Sequence, residues 1–530
     1  MTGDIRPYLS LLIAFVLCWL LPPAAQGQNS EAPLLVVSEN VQQGLSSPLR
    51  DIVPETVELS RPIGFVESHD AYFPSRRLHP FSLESRPSEL SRSAALSSAT
   101  VQVPTVAGLN FAGIGADGWA APDTNGAAGA TQFLEWVNVE FAVYNKTTGA
   151  LVYGPAAGNT LWSGFGGACQ NDNDGDPIVK YDKTAARWIL TQFAGSGSTF
   201  YQCVAVSTSS DATGGYYLYA FKLTNYFPDY AKLGVWSDAY YLSFNQEDPN
   251  NGFAFKGAVV CALNRARMLA GQSAGSICFH LPLSSGMTLL PSDLDGTVAP
   301  PAGSPHFLLN LGSNALRLWK FHVDFGTPSN STLVGPTTIS VKAFTEACGG
   351  GICVPQKSTG QQLDSLGDRL MYRLPYRRFS DGHESLLATH SVGSPASIRW
   401  YEIRNPSGTP VLYQQGTFQP DSNWRWMGSV AMDKAGDIAV GYSVSSNNMN
   451  PSVRYTGRLP SDAPGTLEGE RNIVTGFGSQ TRSGRWGDYT SMSIDPTDDC
   501  TFWYTNEYLR TNGTKNWNTR IASFKFTNCN

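Results

Sequence analysis

Charge is what this chain has least of. Charged residues make up 15% of its 530, against ~25% in an ordinary soluble domain. Lys and Glu, the usual formers of solvated helices, are sparse, and no stretch carries an amphipathic helical period of useful length. That argues against a helical bundle. The net charge of −6 argues against the basic surface that non-specific nucleic-acid binding needs. No C-x-x-C pair is present, which leaves zinc ribbons and thioredoxin chemistry without support. The seven histidines form no H-E-x-x-H. His383 and His390 are an odd number apart and would face opposite sides of one strand. Gly271-Gln272-Ser273-Ala274-Gly275 has the spacing of a nucleophile elbow but stands in β-rich surroundings, without the helix that motif needs.

Long apolar runs are also missing, with one exception. Leu9 to Leu21 is nearly unbroken, too short to span a bilayer and the right length for a signal-peptide core. Arg6 precedes it, and Ala25-Gln26-Gly27 offers a cleavage site. Residues 1–27 are therefore expected to be a signal peptide, with the mature chain secreted or periplasmic and without a membrane span. Once Cys18 leaves, eight cysteines remain: Cys169, Cys203, Cys261, Cys278, Cys348, Cys353, Cys500 and Cys529. An even number in an exported chain reads as disulfides. Pairing in sequence order is the simplest arrangement.

What is abundant is glycine, with 52, and aromatic residues, at 12%. That mix favours strands joined by tight turns. Residues 28–105 are aperiodic and poor in apolar residues, and read as an extended or disordered leader that could wrap the domain. From 106 to 530 the chain alternates in short runs such as Trp136-Val137-Asn138-Val139 and Leu318-Trp319-Lys320-Phe321. More than 400 residues of such strands imply a repeat architecture. The repeat shows near the end. Arg425-Trp426 is followed by Asp433 and Tyr442, and Arg485-Trp486 by Asp495 and Tyr504, the two Asp-to-Tyr spacings being identical. Blade starts at Asp123, Asp176, Trp236, His306, Met371, Trp426 and Trp486 predict an all-β single β-propeller of about seven four-stranded blades. The count is six if the stretch between Trp236 and Met371 holds one large blade.

Ser493-Ile494-Asp495-Pro496-Thr497-Asp498-Asp499-Cys500-Thr501-Phe502-Trp503 resembles the Asp-box turn of sialidase-like propellers, with one extra residue and Asp498 near the usual glycine. Tyr372-Arg373-Leu374-Pro375 is similar to the Y/F-R-I/L-P motif of sialidases, but lies past the middle instead of near the start. Arg485-Trp486-Gly487-Asp488-Tyr489 and Cys500-Thr501-Phe502-Trp503-Tyr504 resemble segments of uncharacterised exported bacterial propellers. The resemblance implies a fold and an extracytoplasmic place, and no set activity.

Asp123, Asp176, Asp238 and Asp488 are expected where innermost strands begin, with Arg373, Arg377, Arg425 and Arg485 at equivalent places in other blades. Such positions gather at a channel mouth, where carboxylates and guanidiniums hold a polar ligand or pair with each other. Asp172, Asp174 and Asp176 alternate as in a calcium loop, and Asp293-Leu294-Asp295-Gly296 is a weaker version. Trp119, Trp162, Trp424 and Trp517 are expected near loops, where they could stack on sugars. The reading is a secreted binding or scaffold propeller whose partner is a glycan or surface polymer, with calcium as a candidate cofactor. The alternative is a sialidase-like glycoside hydrolase using the channel carboxylates.

Overall fold

Strand alternation and Asp-led turns place nearly every β-strand of the computed structural model. It describes Met1, Gly3, residues 32–56 and residues 101–530, apart from 117, 197, 198 and 224. The expected signal peptide lies outside the described residues, apart from Met1 and Gly3. So does most of the leader.

The strands form seven four-stranded antiparallel blades. Blade 1 runs outward from Asn125–Ala128, blade 2 from Gly175–Asp182 and blade 3 from Phe227–Val235. Blade 4 starts with Leu290–Asp295 and blade 5 with Leu374–Arg378. These two are joined by parallel pairing of their innermost strands, from Ser292↔Leu374 to Asp295↔Arg377. Blade 6 starts with Trp424–Met432 and blade 7 with Ser491–Ile494. Each innermost strand touches the next, and that of blade 7 touches that of blade 1, so the seven close into a ring. The outermost strand of blade 7 is Thr105–Gly115, from the other end of the chain, paired with Asn518–Phe526. A blade alone leaves a sheet face wet. Stacking blades around an axis buries both faces.

The packing between blades is aromatic. Trp136, Trp162 and Trp188 fill the space between blades 1 and 2. Trp236, Phe307 and Tyr376 meet edge-on or stacked among blades 3, 4 and 5. Tyr455 and Phe524 stack between blades 6 and 7. Side chains stitch the innermost strands. Asn125 Oδ1 accepts from Val179 N, Asp293 Oδ1 from Val235 N, and Ser429 Oγ from Met492 N. The repeat seen in the sequence has a structural counterpart. Asp433 and Asp495 each close an innermost strand, and Tyr442 and Tyr504 lie on the following one. Asp433 Oδ1 accepts from Ala435 N and Asp437 N, and Asp495 Oδ1 from Thr497 N, which holds each turn.

Two sequence expectations about blade starts shift. Trp236 follows the innermost strand of blade 3, and His306 opens the second strand of blade 4. The acidic run Asp293-Leu294-Asp295 belongs to the innermost strand of blade 4. The four aromatics expected near loops are mostly core: Trp119, Trp162 and Trp517 are buried, and Trp517 donates to Trp119 O. Within the leader, Leu34–Glu39 pairs with the outer strand of blade 3 and Gln42–Leu45 with that of blade 2.

The cysteines pair in sequence order: Cys169–Cys203, Cys261–Cys278, Cys348–Cys353 and Cys500–Cys529. The first closes a separation of 34 residues and the third one of 5. Double replacement of Cys169 and Cys203 by serine is expected to cost about 3–4 kcal/mol of stability, and that of Cys348 and Cys353 about 2 kcal/mol. Denaturant unfolding of the two variants checks the order.

Candidate channel-mouth site

At one end of the channel, residues at or just before the starts of innermost strands, and Tyr230 at the bulge within Phe227–Val235, stand in the left-handed region. Asp123 has φ +49°, Asp176 +46°, Tyr230 +57° and Asp488 +62°. They belong to blades 1, 2, 3 and 7, neighbours in the ring. Asp tolerates this conformation better than most side chains, and such backbone persists where surrounding bonds over-determine it. The bonds are present. Asp123 N donates to Gly487 O at 3.0 Å, Asp176 N to Asn138 Oδ1 at 3.2 Å, and Tyr489 OH to Pro177 O at 3.4 Å.

The strand starts bring Asp123 and Asp176 near enough for the charge of one to act on the other. Burial first, then the negative charge of Asp176, pushes the Asp123 carboxyl well above the usual range, although Arg485 and Lys232 pull the other way. Lys232 lies at the same level, buried, its Nζ 3.6 Å from the Tyr230 ring centre and 4.0 Å from that of Tyr489. Desolvation lowers its ammonium to about 8 against the pull of Asp176 and Asp123. Tyr489 meets Tyr230 edge-on at 5.9 Å and lies 5.8 Å from Tyr372, tilted, so the three form one buried tyrosine cluster.

Part of the rim comes from an insertion between blades 4 and 5. Its small hairpin, Ile352–Val354 with Leu363–Asp364, is braced by Cys348–Cys353. It packs through Val354 and Leu363 against Trp426 and Trp486. The insertion delivers Asp364, Asp368 and Arg369. Arg369 donates to Asp368 at 2.9 Å and lies 4.9 Å over the Tyr230 ring. Arg485 pairs with Asp488. The rim thus brings Asp123, Asp176, Asp229, Asp364, Asp368 and Asp488 together with Lys232, Arg369 and Arg485. Carboxyl groups outnumber cations, six to three.

Asp123, Asp176, Arg485 and Asp488 are the residues of the sequence reading that meet here. Arg373 lies one layer deeper, below the tyrosines. Its Nε donates to Asp293 at 2.9 Å and its Nη2 reaches Asp295 at 2.6 Å, while Lys180 pairs with Asp293 at 2.8 Å. Opposite charges hold Asp293 and Asp295 below the usual carboxylate range in spite of full burial. Arg377 is at the far end of its strand, bidentate on Asp499 at 2.8 and 2.6 Å. Arg425 alternates with Trp424 and Trp426, so it turns away from the channel to Asp421 and Glu470. Asp238 sits in the hairpin beyond the innermost strand of blade 3, accepting from Tyr241 OH at 3.2 Å.

The supposed calcium loop divides its carboxylates. Asp174 accepts from Gly195 N at 2.7 Å and burial raises it to about 7, Asp172 is raised by burial, and Asp176 turns to Asp123. Among the described residues no group of three or more His, Cys, Asp or Glu side chains is placed to hold a metal ion. Sequence reasoning missed Lys232, Arg369 and the three tyrosines. Tyr489 follows Asp488 directly, and that adjacency was the signal to use for it.

Fold and rim together define a seven-bladed β-propeller closed by its N-terminal strand, with an acidic channel mouth and a buried tyrosine cluster beside it. No family model matches the chain, and no curated protein matches it in sequence. Among solved structures it is similar to the WD40 domain of SCAP from fission yeast, with 9% identity over 75% of this chain and 82% of that one and a TM-score of 0.31. An ulvan lyase of a polysaccharide lyase family shares 12% identity over 77% of this chain and 97% of that one, TM-score 0.32. An endo-arabinase from Bacteroides thetaiotaomicron shares 14% over 55% and 95%, TM-score 0.28.

Proposed function

We propose that this chain is an exported binding or scaffold propeller that holds a neutral or cationic glycan, or another hydroxyl-rich surface polymer, at the channel mouth. One observation carries the reading: the acidic rim beside the tyrosine cluster, built from blades 1, 2, 3 and 7 and the insertion. Carboxylates and guanidiniums accept and donate to sugar hydroxyls in forked pairs. The carboxylate surplus disfavours acidic sugars. Disulfides fit an oxidising compartment, and no helix among the described residues is long and apolar enough to cross a membrane.

The glycoside-cleaving alternative has less support. Two catalytic carboxyls must flank an accessible glycosidic bond, whereas Asp123 is buried. A sialidase needs a free arginine cluster, and Arg373, Arg377 and Arg425 are each spent on carboxylates. The test is a broad glycan array with mass-spectrometric reading of every retained glycan. Retention without trimming is expected, and Asp488→Asn is expected to weaken it about tenfold, the worth of one lost charged contact. Trimmed products, or retention indifferent to Asp488→Asn, would sink the proposal.

A further inference from the structure

A propeller ends each blade in an outer strand whose far side offers unpaired backbone groups, and such edges invite pairing with another chain. Six of the seven blades here blunt that edge. The outer strand of blade 1, Leu151–Ala157, carries Pro155 and two register shifts. That of blade 4, Thr332–Ser340, is broken around Gly335-Pro336. That of blade 5, Val411–Phe418, bulges at Tyr413, whose ring is capped by Arg404 at 3.4 Å. Arg471–Val474 on blade 6 is short and shifted, and Thr105–Gly115 on blade 7 has two shifts. Gln42–Leu45, added to blade 2, has four residues. Bulges, prolines and brevity are the usual protections.

Leu34–Glu39, added to blade 3, has none of them. Its register against the next strand is unbroken from Leu34↔His280 to Glu39↔Gly275. It contains no proline, lysine or arginine and is uncharged through Ser38. Leu34 is 64% exposed and Val37 53%. No other described strand covers its far side.

We propose that Leu34–Glu39 is the docking edge for a second copy of this chain, pairing antiparallel with its own counterpart. The strand is self-complementary. A two-fold axis at Val36 sets Val36 opposite its own counterpart, Val37 opposite Leu35 and Leu34 opposite Ser38. The two Glu39 carboxylates then stand about 20 Å apart at ~3.4 Å per residue, so no like charges meet. Two five-stranded sheets become one continuous sheet, and the exposed Leu34 and Val37 gain apolar neighbours.

Sedimentation velocity of the purified full chain over a dilution series tests this, with Val37→Lys and, as control, Val106→Lys on the bulged edge of blade 7, where Val106 is 61% exposed. The expected result is a species of twice the monomer mass that dissociates on dilution, is lost in Val37→Lys at unchanged melting temperature, and persists in Val106→Lys. A monomer at every concentration overturns the proposal. So does a dimer that survives Val37→Lys, or one lost equally in the control. Amide exchange of the unmutated protein gives a second reading independent of any variant. The amides of Leu34–Glu39 should slow on concentration, and no change with concentration overturns it.

Discussion

Replacing Arg373 with methionine is expected to cost about 3–5 kcal/mol of stability, the scale for stripping one partner from a buried ion network. Arg373 lies between Asp293 and Asp295 on the neighbouring innermost strand, all three buried, and also donates to Met492 O in blade 7. Lys180 and Lys183 still hold Asp293 and Asp295 after the change, so the loss is that of the three hydrogen-bonded contacts of Arg373 itself. Arg485→Met removes a guanidinium from the partly exposed rim and should cost less than about 1 kcal/mol. Adding Asp293→Asn to Arg373→Met should add to the loss, because Lys180 is then left buried without its carboxylate. Denaturant unfolding of the single and double variants measures that coupling. Equal costs for Arg373→Met and Arg485→Met would show that the deeper layer is solvated.

A second large effect follows from pH. Glu135 and Glu507 lie buried on the second strands of blades 1 and 7, and burial raises them to about 7 and about 8. Glu135 keeps hydrogen bonds from Thr505 Oγ1 and Ile114 N, and Glu507 one from Gly487 N. Unfolded glutamates titrate near 4.5. The folded chain therefore holds protons that the unfolded chain gives up between those values. The stability they add is complete below about pH 4.5 and is lost as pH rises through 7 to 8. Asp293 and Asp295, held low, act in the opposite sense, and their contribution is lost as pH falls below their unfolded value of 3.8. Melting temperature should peak in mildly acidic solution and fall toward pH 8. Glu507→Gln should flatten the alkaline side by a few kcal/mol at most. A profile that rises from pH 5 to 8 would contradict this.

Much of the fold was readable because a blade is a local object. Alternation, the Asp433 and Asp495 turns and the Trp426 and Trp486 repeats all lie within a few tens of residues, as do the disulfides. The rim was readable in part for the same reason, since Asp123, Asp176 and Asp488 mark strand starts. What escaped was whatever depends on partners far along the chain. Asp293 and Asp295 resembled a solvated acidic turn because their counter-ion, Arg373, is 80 residues from Asp293. Arg425 and Arg377 looked equivalent to Arg485, yet strand alternation turned one outward and the other stands at its strand's far end. Leu34–Glu39 was too short a run to stand out in a leader, and only the free edge of blade 3 gives it a place.

The closure of blade 7 has a consequence for how the chain comes to exist. Thr519 Oγ1 donates to Ile114 O across 405 residues of sequence. A ribosome makes Ile114 405 residues before Thr519, so no chain that stops short of Thr519 can shut the ring. Until then, six blades stand in an open arc with the faces of blades 1 and 6 uncovered, a slow and aggregation-exposed topology. The ring stays open until Asn518–Phe526 has been made, and the Cys500–Cys529 bridge can seal the last blade only after that strand.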